Sequence, residues 1–247
     1  MFPIRDHNPS TRTPYVTYVL VLANVLIFLA YWLPIESERE LGLFYITWGL
    51  VPAKAMAGLD LHTILTSMFL HGGWMHLIGN MLFLWIYGDN MEDQFGHFGF
   101  LAFYLACGTA AAFGQIAADP RSFAPMVGAS GAIAGVMGGY LLLFPKARID
   151  IFFFFLIFFR IIPIPAWIVL GLWLALQVWS GLSPSDSDGG VAYFAHLGGF
   201  AAGLALTIPL WLRRGGPKFW NYTHGAPSHP VATYPVSRSR IPPVPRR

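Results

Sequence analysis

The chain has 247 residues, of which 55% are hydrophobic and 11% charged, with a mean hydropathy of +0.55. An ordinary globular domain is about a quarter charged, so the composition excludes a soluble domain and points to a protein that crosses a bilayer several times. The single cysteine, Cys107, excludes an internal disulfide framework and reads as a small packing residue, and with a net charge of only +3 no nucleic-acid partner is expected.

Residues 15–33 are an uncharged run of nineteen, close to the ~20 that cross a bilayer. A polar segment, 1–14, carries Arg5 and Arg12 ahead of it, and no small-residue cleavage site precedes the acidic ESERE at 36–40. It reads as a retained first span. Residues 34–60 form a mixed, amphipathic loop. From Leu61 to Gly88 there is no Asp, Glu, Lys or Arg, a run too long for one span and interrupted by HGG at 71–73. The second span is therefore expected at 74–91, after a loop that dips into the protein.

The third span is expected at 98–117 and the fourth at 127–144, ended by the proline and basic residues of LFPKAR. The run IFFFFLIFF at 151–159, bounded by Asp150 and Arg160, is too short to cross alone. It reads as a lead into a fifth span at 164–182, with a sixth at 191–212. The expected architecture is an all-α bundle of six transmembrane helices over 15–212. Residues 213–247, rich in proline and carrying Arg238, Arg240, Arg246 and Arg247, are expected to be a disordered tail. No internal repeat stands out, which argues against a transporter built from repeats.

With six spans, Arg5, Arg12, Lys146, Arg148, Arg160, Arg213, Arg214 and Lys218 share one side, against Arg39, Lys54 and Arg121 on the other. The positive-inside rule puts both termini in the cytoplasm, with the cell (inner) membrane as the expected location.

Polar side chains are expensive in hydrocarbon and either join helices or mark a working site. His76 and Asn80, at i and i+4 of the second span, share a face. Ser130 sits just inside the fourth span and His196 just inside the sixth. Spans two, four and six all run inward from the outer face, so the three groups share a depth of roughly 5–10 Å at 1.5 Å per residue. A serine hydroxyl needs a neighbouring base to become a nucleophile, and His196 is the candidate. Ser130 falls in a first helical turn, where free N–H groups and the positive helix end suit an oxyanion. Taken singly, such a serine bonds back to the preceding turn, and such a histidine serves as a proton relay or a helix–helix contact. A metal site is not expected: His71 and His76 are five apart with no carboxylate or thiol near.

VGASGAIAGVMGGY at 127–140 holds five glycines. In lipid, small residues let helix backbones approach closely, so Gly131, Gly135 and Gly138 form a stripe against which Gly199 and Gly203 of the sixth span can pack.

Together, GASGAI at 128–133, HGGWMHLIGNMLFLWIYGDNMED at 71–93 and AHLGGFAAG at 195–203 resemble the rhomboid intramembrane serine proteases over about residues 15–212. The resemblance implies Ser130 as nucleophile and His196 as base, with His76 and Asn80 in the oxyanion hole. It gives structural roles to His71 and to Glu92 at the inner end of the second span. It further implies an endopeptidase, free of cofactor and metal, that cuts transmembrane segments of other membrane proteins within the bilayer through an acyl-enzyme. A non-catalytic relative that binds transmembrane helices is the alternative. Two departures stand out: the Trp-Arg pair common in the first outer loop is missing from DLHTILTS at 60–67, and Ala134 stands where many members stack an aromatic ring on the base.

Overall fold

The computed structural model describes residues 2–155, 158–183 and 191–227. Strand β1 (Phe2–Asp6) precedes helix α1 (Tyr15–Trp32), whose eighteen residues carry no charge. Three short helices make up the segment expected as a loop: α2 (Glu38–Trp48), α3 (Pro52–Met56) and α4 (Thr63–Thr66), the last running into a 3₁₀ turn at Ser67–Phe69. The Ser37 hydroxyl accepts from Glu40 N–H at 3.2 Å and so caps α2. Proline at the first position of α3 starts a helix where no N–H is needed.

Helices α5 (Trp74–Phe95) and α6 (His97–Ala118) are separated by Gly96 alone, at φ +71°. Helix α7 (Ser130–Leu143) is followed by strands β2 (Arg148–Phe155) and β3 (Phe158–Pro165), then by helices α8 (Ala166–Leu182), α9 (Tyr193–Arg213) and α10 (Pro217–Thr223). Helices α1, α6 and α9 are long and apolar enough to cross a membrane. Helices α7 and α8 are apolar but shorter, while α5 has the length and carries Asp89, Glu92 and Asp93 near its end. At 1.5 Å per residue α7 reaches only about 21 Å, short of the ~30 Å hydrocarbon core. It does so at the centre of the bundle, where all but three of its fourteen residues are buried.

The all-α expectation needs correction. Residues 148–165 form an antiparallel pair that β1 extends to a three-stranded sheet in the order β1-β2-β3. Strand pairing satisfies the backbone of a segment too short to span as a helix. Ile149 and Ile151 lie buried against the helix ends, whereas Phe154 and Phe159, cross-strand neighbours, project on the opposite face and are exposed. Asp150 ties the sheet to the N-terminal segment, accepting from Arg5 Nε at 2.6 Å and His7 Nε2 at 2.8 Å.

The expected tail also begins differently, because α10 packs back on the bundle. Trp220 Nε1 donates to the Leu142 carbonyl at 2.9 Å, and its ring lies 4.8 Å from that of Trp211. Residues 228–247 lie outside the described residues.

The tightest packing joins α6, α7 and α9. A Cβ at Gly199 would overlap the carbonyl oxygen of Gly131, and one at Gly203 that of Gly135. Gly135 also faces Cys107 of α6, which is fully buried, and Gly114 of α6 lies against Gly198. The glycine stripe therefore sits in the corner between two partner helices.

Candidate active site

Ser130 is the first residue of α7, and its helix starts there for a local reason. Gly128 adopts φ +133°, a conformation closed to residues with a side chain, so the chain turns sharply into the helix. A Cβ at Gly128 would also come within 2.8 Å of His76 Nε2 and 3.4 Å of Ser130 Oγ. The approach loop is held by Gly128 N–H donating to the Ser67 carbonyl at 2.9 Å and by a two-way backbone bridge between Leu50 and Met126. That bridge and the Thr66 hydroxyl, which donates to the Trp48 carbonyl at 2.7 Å, anchor the segment between α1 and α5 without a Trp-Arg pair.

His196, fourth residue of α9, meets the serine because Gly199 and Gly131 let the two helices touch backbone to backbone. Ser130 Oγ and His196 Nε2 are 2.8 Å apart. The other ring nitrogen, Nδ1, lies 2.6 Å from Gln177 Oε1 on α8. An amide oxygen only accepts, so Nδ1 carries the ring proton and the Nε2 lone pair receives the serine hydroxyl.

His76 is set the opposite way. Gly72 N–H donates to its Nδ1 at 3.2 Å, so in the neutral ring Nε2 bears the hydrogen and faces Gly128 and Ser130. One turn further, Asn80 is buried and its Nδ2 has no protein partner among the described residues. An unsatisfied buried amide donor is costly and here lines the same cavity as Ser130, His196 and His76. That cavity measures about 710 Å³, and its apolar wall includes Met75, Phe83 and Trp173. The volume suits a ligand-binding cleft of ~300–1,000 Å³.

His71 is fully buried beneath His76, the ring centroids 5.1 Å apart. Its backbone is clamped: Tyr31 and Tyr45 hydroxyls donate to its carbonyl at 2.6 and 2.8 Å, and its N–H donates to Tyr31 Oη at 2.8 Å. Burial, then the neighbouring His76, drive its pKa down to about 3, so the ring is neutral. Glu92 lies at the far end of α5, where Val16 N–H, Thr17 N–H and the Thr17 hydroxyl donate to it at 2.9, 2.8 and 2.8 Å, and His97 Nδ1 at 2.5 Å. It caps the start of α1 and takes no part in the cavity. Gly199 and Gly203 serve by absence, as the contact surface that seats α9.

Two neighbours of the base come from α8. Besides Gln177, the Trp173 ring lies 5.7 Å from the imidazole at 39°, supplying the aromatic contact that Ala134 lacks. Trp173 and Gln177 stand four apart and hence on one helix face. That spacing, and a lone amide within an apolar span, were the available signals.

Residues 58–213 match the rhomboid domain family. Among curated proteins the chain is 32% identical over 148 residues to Rhomboid protein 1, mitochondrial, of Saccharomyces cerevisiae, covering 58% of this chain and 40% of that protein. It is 34% identical over 166 residues to RHOMBOID-like protein 4 of Arabidopsis thaliana, covering 67% and 38%. Similarity to Rhomboid protease GluP of Bacillus subtilis is 32% over 196 residues, covering 79% and 36%. The matched stretch thus spans two fifths or less of the length of each of these relatives.

Proposed function

The chain belongs to the rhomboid family of integral membrane proteins, and we propose that it is an active intramembrane serine endopeptidase. The observation that carries this reading is the 2.8 Å contact between Ser130 Oγ and His196 Nε2, inside a cavity that also holds the donors of His76 and Asn80. A helix-binding protein without catalysis has no use for a base aligned on a hydroxyl.

In the proposed reaction the hydroxyl of Ser130 attacks the scissile carbonyl as His196 Nε2 takes its proton. The carbonyl oxygen becomes an oxyanion, which accepts from His76 Nε2–H, Asn80 Nδ2–H and the N–H of Ser130, the last free of any partner within its helix. His196 then passes the proton to the leaving amine, and an ester joins Ser130 to the acyl fragment. Water, deprotonated by the same nitrogen, hydrolyses that ester and restores the serine. No Asp or Glu takes part: the site is a dyad of serine and histidine, with neither metal nor cofactor.

The proposed topology has α1, α5, α6, α7, α8 and α9 crossing the membrane, with the segments flanking 15–212 in the cytoplasm, in the cell membrane. Helix α7 is shorter than the bilayer core, which recesses Ser130 below the outer surface where the cavity meets it. Substrates are transmembrane segments of other proteins, unwound at small residues so that their backbone reaches the serine. The test is cleavage of a single-span reporter by the purified full chain in detergent. Wild type should cut it, while Ser130→Ala and His196→Ala should not. Equal cleavage by Ser130→Ala would remove the nucleophile from this account.

A further inference from the structure

We propose that Gln177 is a positioning residue for the base, fixing the tautomer and ring angle of His196 so that Nε2 is always the nitrogen presented to Ser130. This rests on the serine–histidine reading above and adds a third member to it.

A neutral imidazole has two tautomers, and only the one with its proton on Nδ1 leaves Nε2 free to accept from serine. A ring held by Ser130 alone has no reason to choose, because a hydroxyl both donates and accepts. With its amide oxygen turned to the ring, Gln177 has Oε1 2.6 Å from Nδ1 on the far side and accepts there. In that orientation the proton sits on Nδ1, and the serine hydroxyl donates to Nε2 at 2.8 Å. The ring is clamped at both ends. Trp173, one turn earlier on α8, flanks its face and limits rotation about the remaining bond. His196 is only 9% exposed, so water competes poorly for Nδ1.

A carboxamide suits this place better than a carboxylate. Soluble serine proteases use a buried aspartate to fix the tautomer. Inside a bilayer a second ionised group would carry a large desolvation cost whenever the histidine is neutral. An amide supplies the same acceptor without charge. It gives up part of the stabilisation of the imidazolium formed during the reaction, and keeps the resting base neutral and ready.

The experiment uses the full chain in liposomes, with ¹⁵N-labelled histidine and a transmembrane reporter, comparing wild type, Gln177→Leu and Gln177→Glu. His196 is assigned by its loss in His196→Ala. In wild type, Nδ1 should be protonated and Nε2 not. Gln177→Leu should show both tautomers, with kcat lower by about 10- to 100-fold, a part of the ~10²–10⁴ that a positioned base supplies. KM should stay within about twofold, because substrate contacts are untouched. Gln177→Glu should restore the single tautomer and move the acidic limb of the kcat/KM profile to higher pH, since a carboxylate favours the imidazolium.

If Gln177→Leu keeps the wild-type tautomer and pH profile, the proposal is overturned. Should Gln177→Leu not fold, Gln177→Asn decides, because its shorter side chain does not reach Nδ1: a wild-type tautomer and kcat in that variant overturn the proposal as well. If wild type cuts nothing, the protease reading has failed, and the tautomer spectra still decide the role of Gln177.

Discussion

Gly199 on α9 sits so close to the carbonyl oxygen of Gly131 on α7 that no Cβ fits between them, and this approach brings His196 onto Ser130. Adding a methyl at 199 must push the helices apart at the level of the dyad. Overpacking of this kind costs about 1–3 kcal/mol. Gly199→Ala should therefore unfold at a lower temperature than wild type and lose most of its cleavage activity. Gly42→Ala, at a helical site on α2 with open space and away from the cavity, is the control and should do neither.

The proposed oxyanion donors should act on kcat. Asn80 Nδ2 lines the cavity and has no protein partner among the described residues, so it can turn to a developing oxyanion without breaking a bond inside the protein. Removing one such donor costs about 10²–10³ in kcat. Asn80→Ala and His76→Ala should each show a loss of that order with KM little changed, measured as initial rates over a range of substrate densities in liposomes.

Glu92 tests the scaffold apart from the chemistry. Its carboxylate takes four donors from α1, Thr17 and His97, and it is 2% exposed. Glu92→Ala orphans buried donors, at about 1–3 kcal/mol for such a group. Thermal unfolding in detergent should shift down by several degrees. At temperatures where the variant is still folded, its kcat should stay near wild type, because the residue lies at the opposite end of α5 from the site.

A pH dependence follows from Asp6. Its carboxylate accepts from the Tyr140 hydroxyl at 2.6 Å, tying β1 to the last turn of the serine-bearing helix. Burial, with repulsion from Asp89, outweighs that hydrogen bond and raises its pKa to about 7. The folded protein thus holds a proton on Asp6 that the unfolded chain, with a pKa near the ordinary 3.8, releases. Stability from this group is complete below pH ~4 and declines as pH rises through about 7. His71 works in the other direction: its depressed pKa withdraws stability as pH falls from about 6.5 toward 3. The difference in unfolding temperature between wild type and Asp6→Asn isolates the first effect, and it should favour the variant increasingly from pH 4 to 7.

Helices α1, α6 and α9 were legible because each holds an uncharged run of about membrane length. The start of α7 at Ser130, against an expected 127, reflects Gly128, whose positive φ cannot belong to a helix. The sheet was hidden because the alternation of Arg148, Ile149, Asp150 and Ile151 lasts only four residues before Phe152, Phe153 and Phe154 make both faces apolar. Without alternation, a short apolar run carries no sign of its period. Asp6 and Gln177 escaped for another reason. Each matters through a partner more than a dozen residues away, Tyr140 in one case and His196 in the other, and helix periodicity says which residues share a face but not which face meets which helix.

The central claim is that Ser130 is a nucleophile activated by His196. The most direct measurement is the reaction of the folded protein with a fluorophosphonate, followed by mass spectrometry of the labelled peptide. The account predicts one adduct, on Ser130, absent in Ser130→Ala and formed far more slowly in His196→Ala. Labelling at a different residue, or equal rates in His196→Ala, would contradict it.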